Sequence, residues 1–220
     1  MSQTLIFCGG IYNLEFCQQF LENKKFDNVI CTDSGLEAAY KLNIIPHIIM
    51  GDFDSVDLDI LGKYSEGECE VLRFPPEKDE TDLELAILEC TKRGFSDVVI
   101  LGATGGRADQ YFANIHLLYF ALKNNIRAEI YDEFSKIYME NKGFRLKKSE
   151  LYGKYISLLP FGGDVTGLSI KGLKYVVSDF DLEVGRSRGI SNQFLESASD
   201  VATAEVDFKN GVILVVESRD

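Results

Sequence analysis

The sequence predicts an α/β protein in two parts: an N-terminal, mostly parallel sheet with flanking helices, plus a C-terminal antiparallel β-sandwich domain. Three observations carry this expectation. Up to residue 132 short apolar runs alternate with helical patterns, which is the signature of parallel strands joined by crossover helices. From residue 133 onward the runs are short, broken by turn residues, and alternate in polarity. The chain's 220 residues exceed one typical domain of roughly 150 and allow a second, smaller core. The expected domains are therefore 1–132 and 133–220, with the linker around "YDEFSK" (131–136).

In chain order, "TLIFCGG" (4–10) reads as the first strand and residues 13–23 as a helix. "NVICTDS" (28–34), a helix at 35–42 and "HIIMGD" (47–52) continue the alternation. "CEVLRF" (69–74), a helix at 82–93, "DVVILGA" (97–103), a helix at 110–124 and "RAEIYD" (127–132) complete the first part. Ser34 with Glu37, and Thr81 with Glu84, have capping-box spacing, in which side chains satisfy the first free amides of a helix. Behind the second box Leu83, Ala86, Ile87 and Cys90 recur at helical spacing, so that helix has one buried stripe. In the second part "KYISLLPF" (154–161), "VTGLSIKGL" (165–173), "DFDLEV" (179–184), "VATAEVDF" (201–208) and "GVILVVES" (211–218) read as strands. Phe180, Leu182 and Val184 alternate there with Asp179, Asp181 and Glu183. A sandwich accommodates such short, half-buried strands.

Composition narrows the function. A net charge of −12 opposes nucleic-acid binding, which depends on clustered Lys and Arg. It does not oppose a phosphorylated small molecule whose charge is offset locally by a divalent cation and a few Arg residues. Five cysteines without C-x-x-C spacing, mostly inside apolar runs, read as reduced core residues of a cytoplasmic protein. Two histidines, His47 and His116, and no Cys/His cluster leave little for a zinc site or a histidine triad. Catalysis then rests on carboxylates. No window approaches ~20 uninterrupted apolar residues, so no membrane segment is expected.

In open α/β sheets ligands collect beyond the carboxyl ends of the strands. Asp33, the pair Asp52 and Asp54, the pair Asp79 and Asp82, and Asp109 all follow predicted strands. Each has a plainer reading as a helix cap, a first-turn acid or a turn former. Asp52 and Asp54 resist it best: if the strand persists, both carboxylates face one side, where mutual repulsion calls for a cation. "GATGGRAD" (102–109) follows an apolar strand and precedes a helix, so its glycines, Gly105 and Gly106 among them, permit close backbone approach to a phosphate. It lacks the Walker A ending. Arg107 adds a forked donor suited to phosphate oxygens, or is a surface residue of a flexible loop. Together these features point to Mg²⁺ bridging a nucleotide polyphosphate, with one carboxylate available to take a hydroxyl proton.

"GDFDS" (51–55), "DETD" (79–82), "GATGGRADQ" (102–110) and "SRGISN" (187–192), in that order over nearly the whole chain, resemble the thiamine pyrophosphokinase family. The resemblance implies transfer of the pyrophosphoryl group of ATP to the hydroxyl of thiamine, giving thiamine diphosphate and AMP with Mg²⁺, by a homodimer with its active site at the subunit interface. It implies Asp52, Asp54 and Asp82 as metal-site acids, with Asp54, Asp82, Asp109 and Arg107 at the chemistry. It further implies Asp33, Gly105, Gly106, Arg107 and Gln110 on the nucleotide, and Asp79, Gln110, Ser191 and Asn192 on substrate. Ser34 of "TDSG" stands where that family has glycine. Arg186 and Arg188, beside the recognition segment of a cationic substrate, are expected to hold phosphate or their own loop, or equally to lie on a solvated hairpin. The rivals are a pyrophosphokinase for another hydroxymethyl compound such as a pterin, a nucleotide-sugar glycosyltransferase, and a nucleotide or thiamine sensor without turnover.

Overall fold

A computed structural model describes residues 2–54, 56–65, 67 and 69–220. They form two compact units, one ending at Glu133 and the other Phe134–Asp220.

The first unit runs β1 (Gln3–Phe7), α1 (Leu14–Leu21), β2 (Asn28–Thr32), α2 (Gly35–Lys41), β3 (Ile48–Gly51) and α3 (Leu58–Ser65). It continues through β4 (Glu70–Arg73), α4 (Asp82–Arg93), β5 (Asp97–Leu101), α5 (Ala108–Lys123) and β6 (Arg127–Tyr131). The six strands pair in parallel in the order β4-β3-β2-β1-β5-β6. After its first residue, each of β1, β2 and β5 is buried on every side chain, as expected of strands covered on both faces. The chain winds outward from β1 to β4, then returns to the other side of β1. This places the switch in winding direction between β1 and β5, where the two outgoing loops part and a ligand crevice opens.

Local chemistry sets the helix starts. Asn13 Oδ1 accepts the Phe16 amide at 3.1 Å ahead of α1, and Thr81 Oγ1 accepts the Glu84 amide at 3.3 Å ahead of α4. The expected stripe of α4 is buried at Leu83, Ala86, Ile87 and Cys90, and α4 packs on β2 and β3 and against α5. Its Gly94 stop has φ +75°, a conformation glycine adopts without Cβ strain.

Two expectations are corrected here. The Ser34 capping box does not form: Ser34 is itself helical (φ −62°, ψ −8°) and its hydroxyl donates to the Gly9 carbonyl at 3.3 Å instead. Helix α3 was not anticipated. Its start is signed by Asp57, whose Oδ1 accepts the Asp59 amide at 2.9 Å, and Leu61 buries its inner face. Eight residues with mixed polarity gave too short a period to read against the neighbouring strands.

The second unit contains β7 (Ser135–Glu140), β8 (Phe144–Lys147), β9 (Tyr155–Pro160), β10 (Val165–Lys171), β11 (Val177–Leu182), β12 (Thr203–Asp207) and β13 (Ile213–Ser218). Strand β13 pairs antiparallel with β7 and β9, while β11-β10-β12-β8 form a four-stranded antiparallel sheet. Ile156, Leu158, Ile213 and Val215 from the first set meet Val165, Leu168, Ile170 and Val206 from the second in one apolar core. Each such side chain, fully buried, contributes about 1.5–3 kcal/mol. Strands β7 and β8 were not read from the sequence, because β7 begins inside the segment taken as linker and β8 has four residues. The alternation expected at 179–184 buries Leu182, half-buries Phe180 and leaves Val184 exposed beyond the strand end. Among the described residues no helix is long and apolar enough to cross a membrane.

Candidate active site

A cleft of about 570 Å³ lies at the carboxyl ends of β1, β2, β3 and β5, within the first unit. Its lining includes Gly9 and Gly10 after β1, Asp33 after β2, Asp52 after β3, and Gly102 to Arg107 after β5. Lys78 and Asp82, flanking the start of α4, close one side.

The walls of the crevice are close-set backbone. A Cβ added to Gly10 would sit 2.0 Å from the Gly102 carbonyl oxygen. Gly102 itself has φ +73°, with the Tyr12 ring against its open side. Tyr12 ties the two loops together by donating its hydroxyl to the carbonyls of Cys8 and Leu101. Burial holds the Tyr12 phenol well above its ordinary pKa, so it remains a donor across the physiological range. Asn114 of α5 donates to the Ala103 carbonyl at 2.9 Å and secures the glycine loop from the other side.

The carboxylates converge, though by another route than an extended strand. Strand β3 ends at Gly51, and Phe53 is in the left-handed region at φ +63°. That conformation costs a bulky residue roughly 1–2 kcal/mol. Burial of the Phe53 ring beneath the Arg73 guanidinium, 5.0 Å from the ring centre, holds it in place. Asp52 Oδ1 accepts the Asp54 amide at 3.0 Å, closing a turn that returns Asp54 toward its neighbour. Asp33, also left-handed at φ +47°, is fixed by its amide on the Met50 carbonyl at 3.0 Å. One carboxylate oxygen from each of Asp33, Asp52 and Asp54 lies within 4.8 Å of the others. Three hard oxygen donors this close fit a divalent cation of the Mg²⁺ type.

The trio shares Asp52 and Asp54 with the metal set expected from the sequence. Asp33, whose plainest reading was a residue before a capped helix, stands in the trio. Asp82 does not: its Oδ1 is 2.7 Å from Lys78 Nζ. Ser34 needs no glycine conformation, so the departure from the family's glycine carries no backbone cost. The glycine that geometry does require is Gly35, whose Cβ would meet the Phe7 carbonyl oxygen at 2.3 Å.

Arg107 and Gln110 line the cleft, and α5 begins beside them without a side-chain cap, which suits an anion at that helix end. Arg107 makes a forked contact with Asp109, both side chains being exposed. That contact raises the guanidinium pKa and lowers the carboxyl pKa, so both stay charged. Asp109 and Asp79 are exposed and lie off the cleft lining. Lys78 and Asn114 were missed by sequence reading; Lys78 was legible as the one base in the acidic run "EKDETD".

The cysteines are excluded as nucleophiles. Burial pushes the Cys8 thiol at the cleft edge up to about 12, Cys90 to about 12, and Cys17 and Cys69 to about 11. Burial likewise raises Cys31 well above the ordinary thiol value. At pH 8 Ellman's reagent is expected to react slowly with the native protein and to register five thiols promptly in guanidinium; a fast native thiol at Cys8 would contradict this burial.

Comparison with known proteins decides the family. Residues 17–130 match the family described as "Thiamin pyrophosphokinase, catalytic domain", and residues 143–213 match "Thiamin pyrophosphokinase, vitamin B1 binding domain". The chain belongs to the thiamin pyrophosphokinase family. Thiamine pyrophosphokinase from Bacillus subtilis (strain 168) is 31% identical over 192 residues, 87% of each chain. A crystal structure of thiamine pyrophosphokinase from Bacillus subtilis superimposes with a TM-score of 0.86 at 28% identity, covering 100% of both chains. The yeast thiamin pyrophosphokinase structure shares the fold at 18% identity, with a TM-score of 0.78 over 99% of this chain and 86% of that one.

The second unit carries the remaining predicted residues. Ser191 is exposed, left-handed at φ +55°, and donates its amide to Ser157 Oγ at 3.0 Å. Asn192 is 4% exposed, and its amide is committed to backbone: Oδ1 accepts from Tyr175 N and Gln193 N, and Nδ2 donates to the Tyr175 carbonyl. Arg186 contacts Glu183, and Arg188 lies over the Phe180 ring at 5.5 Å, so both hold their own hairpin.

Proposed function

We propose that this chain is a thiamine pyrophosphokinase, transferring the pyrophosphoryl group of ATP to thiamine with release of AMP. The family assignment supports the activity, and the match to a vitamin B1 binding domain favours thiamine over a pterin acceptor. At residue level the reading rests on one observation: three carboxylates from two loops, Asp33 after β2 and Asp52 and Asp54 after β3, converge beside a glycine-walled cleft at the sheet's winding switch.

In the reaction the thiamine hydroxyethyl oxygen forms a bond to the β-phosphorus, the bond from that phosphorus to the α,β-bridging oxygen breaks, and AMP leaves with the electron pair. The hydroxyl proton passes to a carboxylate base. We assign Asp33, Asp52 and Asp54 as the residues that hold Mg²⁺, which when bound offsets charge on the polyphosphate. Gly105 and Gly106, both left-handed, let phosphate approach the backbone ahead of α5, and Arg107 and Gln110 reach the same space. Asp82 stands ready at the cleft edge. Asp109 serves by holding Arg107 rather than by touching phosphate. Asp79 contributes negative potential toward a cationic substrate from outside the lining.

Ser191 and Asn192 are assigned to shaping the thiamine-recognition segment rather than to direct contact through the Asn192 amide. Asn192→Ala leaves the Tyr175 backbone groups unpaired. It is expected to lose about 2 kcal/mol of stability and to weaken thiamine binding more than ATP binding, read by calorimetry. Equal losses for both ligands would count against the assignment. Tyr175, Val176, Ile190 and Leu195 expose apolar side chains around this segment, a surface suited to a homodimer with its active site at the subunit interface. Free cysteines agree with a cytoplasmic location.

Purified protein mixed with ATP, Mg²⁺ and thiamine tests the whole reading. Stoichiometric AMP and thiamine diphosphate are expected. ADP as product, or AMP formation indifferent to thiamine, would overturn it.

A further inference from the structure

The cleft is short of positive charge where a polyphosphate would need it. Among the described residues its lining carries Asp33, Asp52, Glu80 and Asp82 against two cations, Lys78 and Arg107. Arg107 is 74% exposed and forked onto Asp109, whereas Lys78 is drawn inward, its side chain 12% exposed. The Lys78 ammonium rests 2.7 Å from Asp82 Oδ1 at the first residue of α4, with the Phe74 ring 5.8 Å away. Asp82 is the predicted metal-site acid that the structure leaves outside the Asp33, Asp52 and Asp54 trio. One contact therefore occupies both the best-placed cation and the missing carboxylate.

We propose that Lys78 is a polyphosphate-binding residue that changes partner: it moves from Asp82 to phosphate oxygens when nucleotide enters, releasing the Asp82 carboxylate toward the carboxylate trio. This deepens the pyrophosphokinase reading and rests on it. The physical basis is competition for one ammonium. A lysine is a flexible point charge with three donors, able to swing between oxygens on a four-carbon stem. A carboxylate carries one negative charge and a triphosphate about four, so for the same ammonium in the same cleft the tail outcompetes Asp82. A purely structural ion pair across the turn from Lys78 to α4 would instead stay closed whatever the cleft contains.

The test is calorimetric binding to the full-length protein of α,β-methylene-ATP, which cannot be split at the reacting bond, with AMP as comparison. Lys78→Met is expected to weaken binding of the triphosphate analogue at least about tenfold, the loss of one charge-assisted hydrogen bond, and to leave AMP within about twofold. Asp82→Asn is expected to act in opposite directions. Without metal it removes the competitor and raises affinity for the analogue about threefold or more; with Mg²⁺ it shrinks the gain that the metal confers. The double variant loses the metal-free rise. Lys78→Arg, which keeps the charge, retains affinity within about threefold. If Lys78→Met does not fold, the Asp82→Asn and Lys78→Arg arms still decide the matter. Equal losses for AMP and analogue, or no metal-free rise in Asp82→Asn, overturn the exchange of partners while leaving the enzyme assignment intact. A wild-type protein that binds no triphosphate in Mg²⁺ overturns the pyrophosphokinase reading instead.

Discussion

Asp54→Asn is expected to reduce AMP formation at least a hundredfold, about the loss seen when one charge-stabilising group is removed from a reacting centre, while the protein stays folded. The Asp54 side chain is exposed, so little packing is lost, and its amide, not its carboxylate, closes the turn with Asp52. Surface changes of this kind move stability by about 0.5 kcal/mol or less. What disappears is one of three negative charges within 4.8 Å of one another, and with it part of the attraction for a divalent cation. Steady-state assays across a Mg²⁺ titration, beside thermal unfolding, measure both halves. A folded Asp54→Asn variant with full turnover would remove the carboxylate trio from the mechanism.

Gly10→Ala is expected to cost about 3 kcal/mol of stability, at the upper end of overpacking penalties, and to abolish nucleotide binding in whatever protein remains folded. The added methyl meets the Gly102 carbonyl oxygen at 2.0 Å and its carbon at 3.0 Å. Neither neighbour is the flexible end of a side chain. Gly102 cannot retreat either, because Tyr12 fills the space on its open side and is tied to both loops by its hydroxyl. The loops after β1 and β5 must separate, which opens the crevice at its base. Against a typical folding stability of about 5–15 kcal/mol, urea unfolding detects the change readily. A loss under about 0.5 kcal/mol would mean that the two loops have slack and that the crevice walls are not rigid.

The two variants mark how legible this protein was. Asp54 was visible from sequence because a pair of acids after an apolar strand is a local pattern. The reason given for it was wrong: the strand stops at Gly51, and a left-handed Phe53 with an Asp52 turn brings the acids together. Gly10 carried no such signal. Its neighbour in space is 92 positions along the chain, and only the sheet order makes them adjacent. Helix α3 and strands β7 and β8 escaped for a different reason: four to eight residues of mixed polarity hold only about two or three repeats of their own period, too few to stand out.

By itself the sequence determined whatever depends on near neighbours: the α/β and antiparallel halves, from polarity periods of helices and strands; the cap at Thr81; the acids and glycines waiting at strand ends. Tertiary structure alone decided which of those acids meet. Asp33 and Asp52 come together because β2 and β3 are hydrogen-bonded neighbours, whereas Asp82 starts a helix and finds Lys78 four residues back. Side-chain period is written in consecutive residues, but strand order is set by burying both faces of a sheet at once, a choice made among segments far apart in the chain.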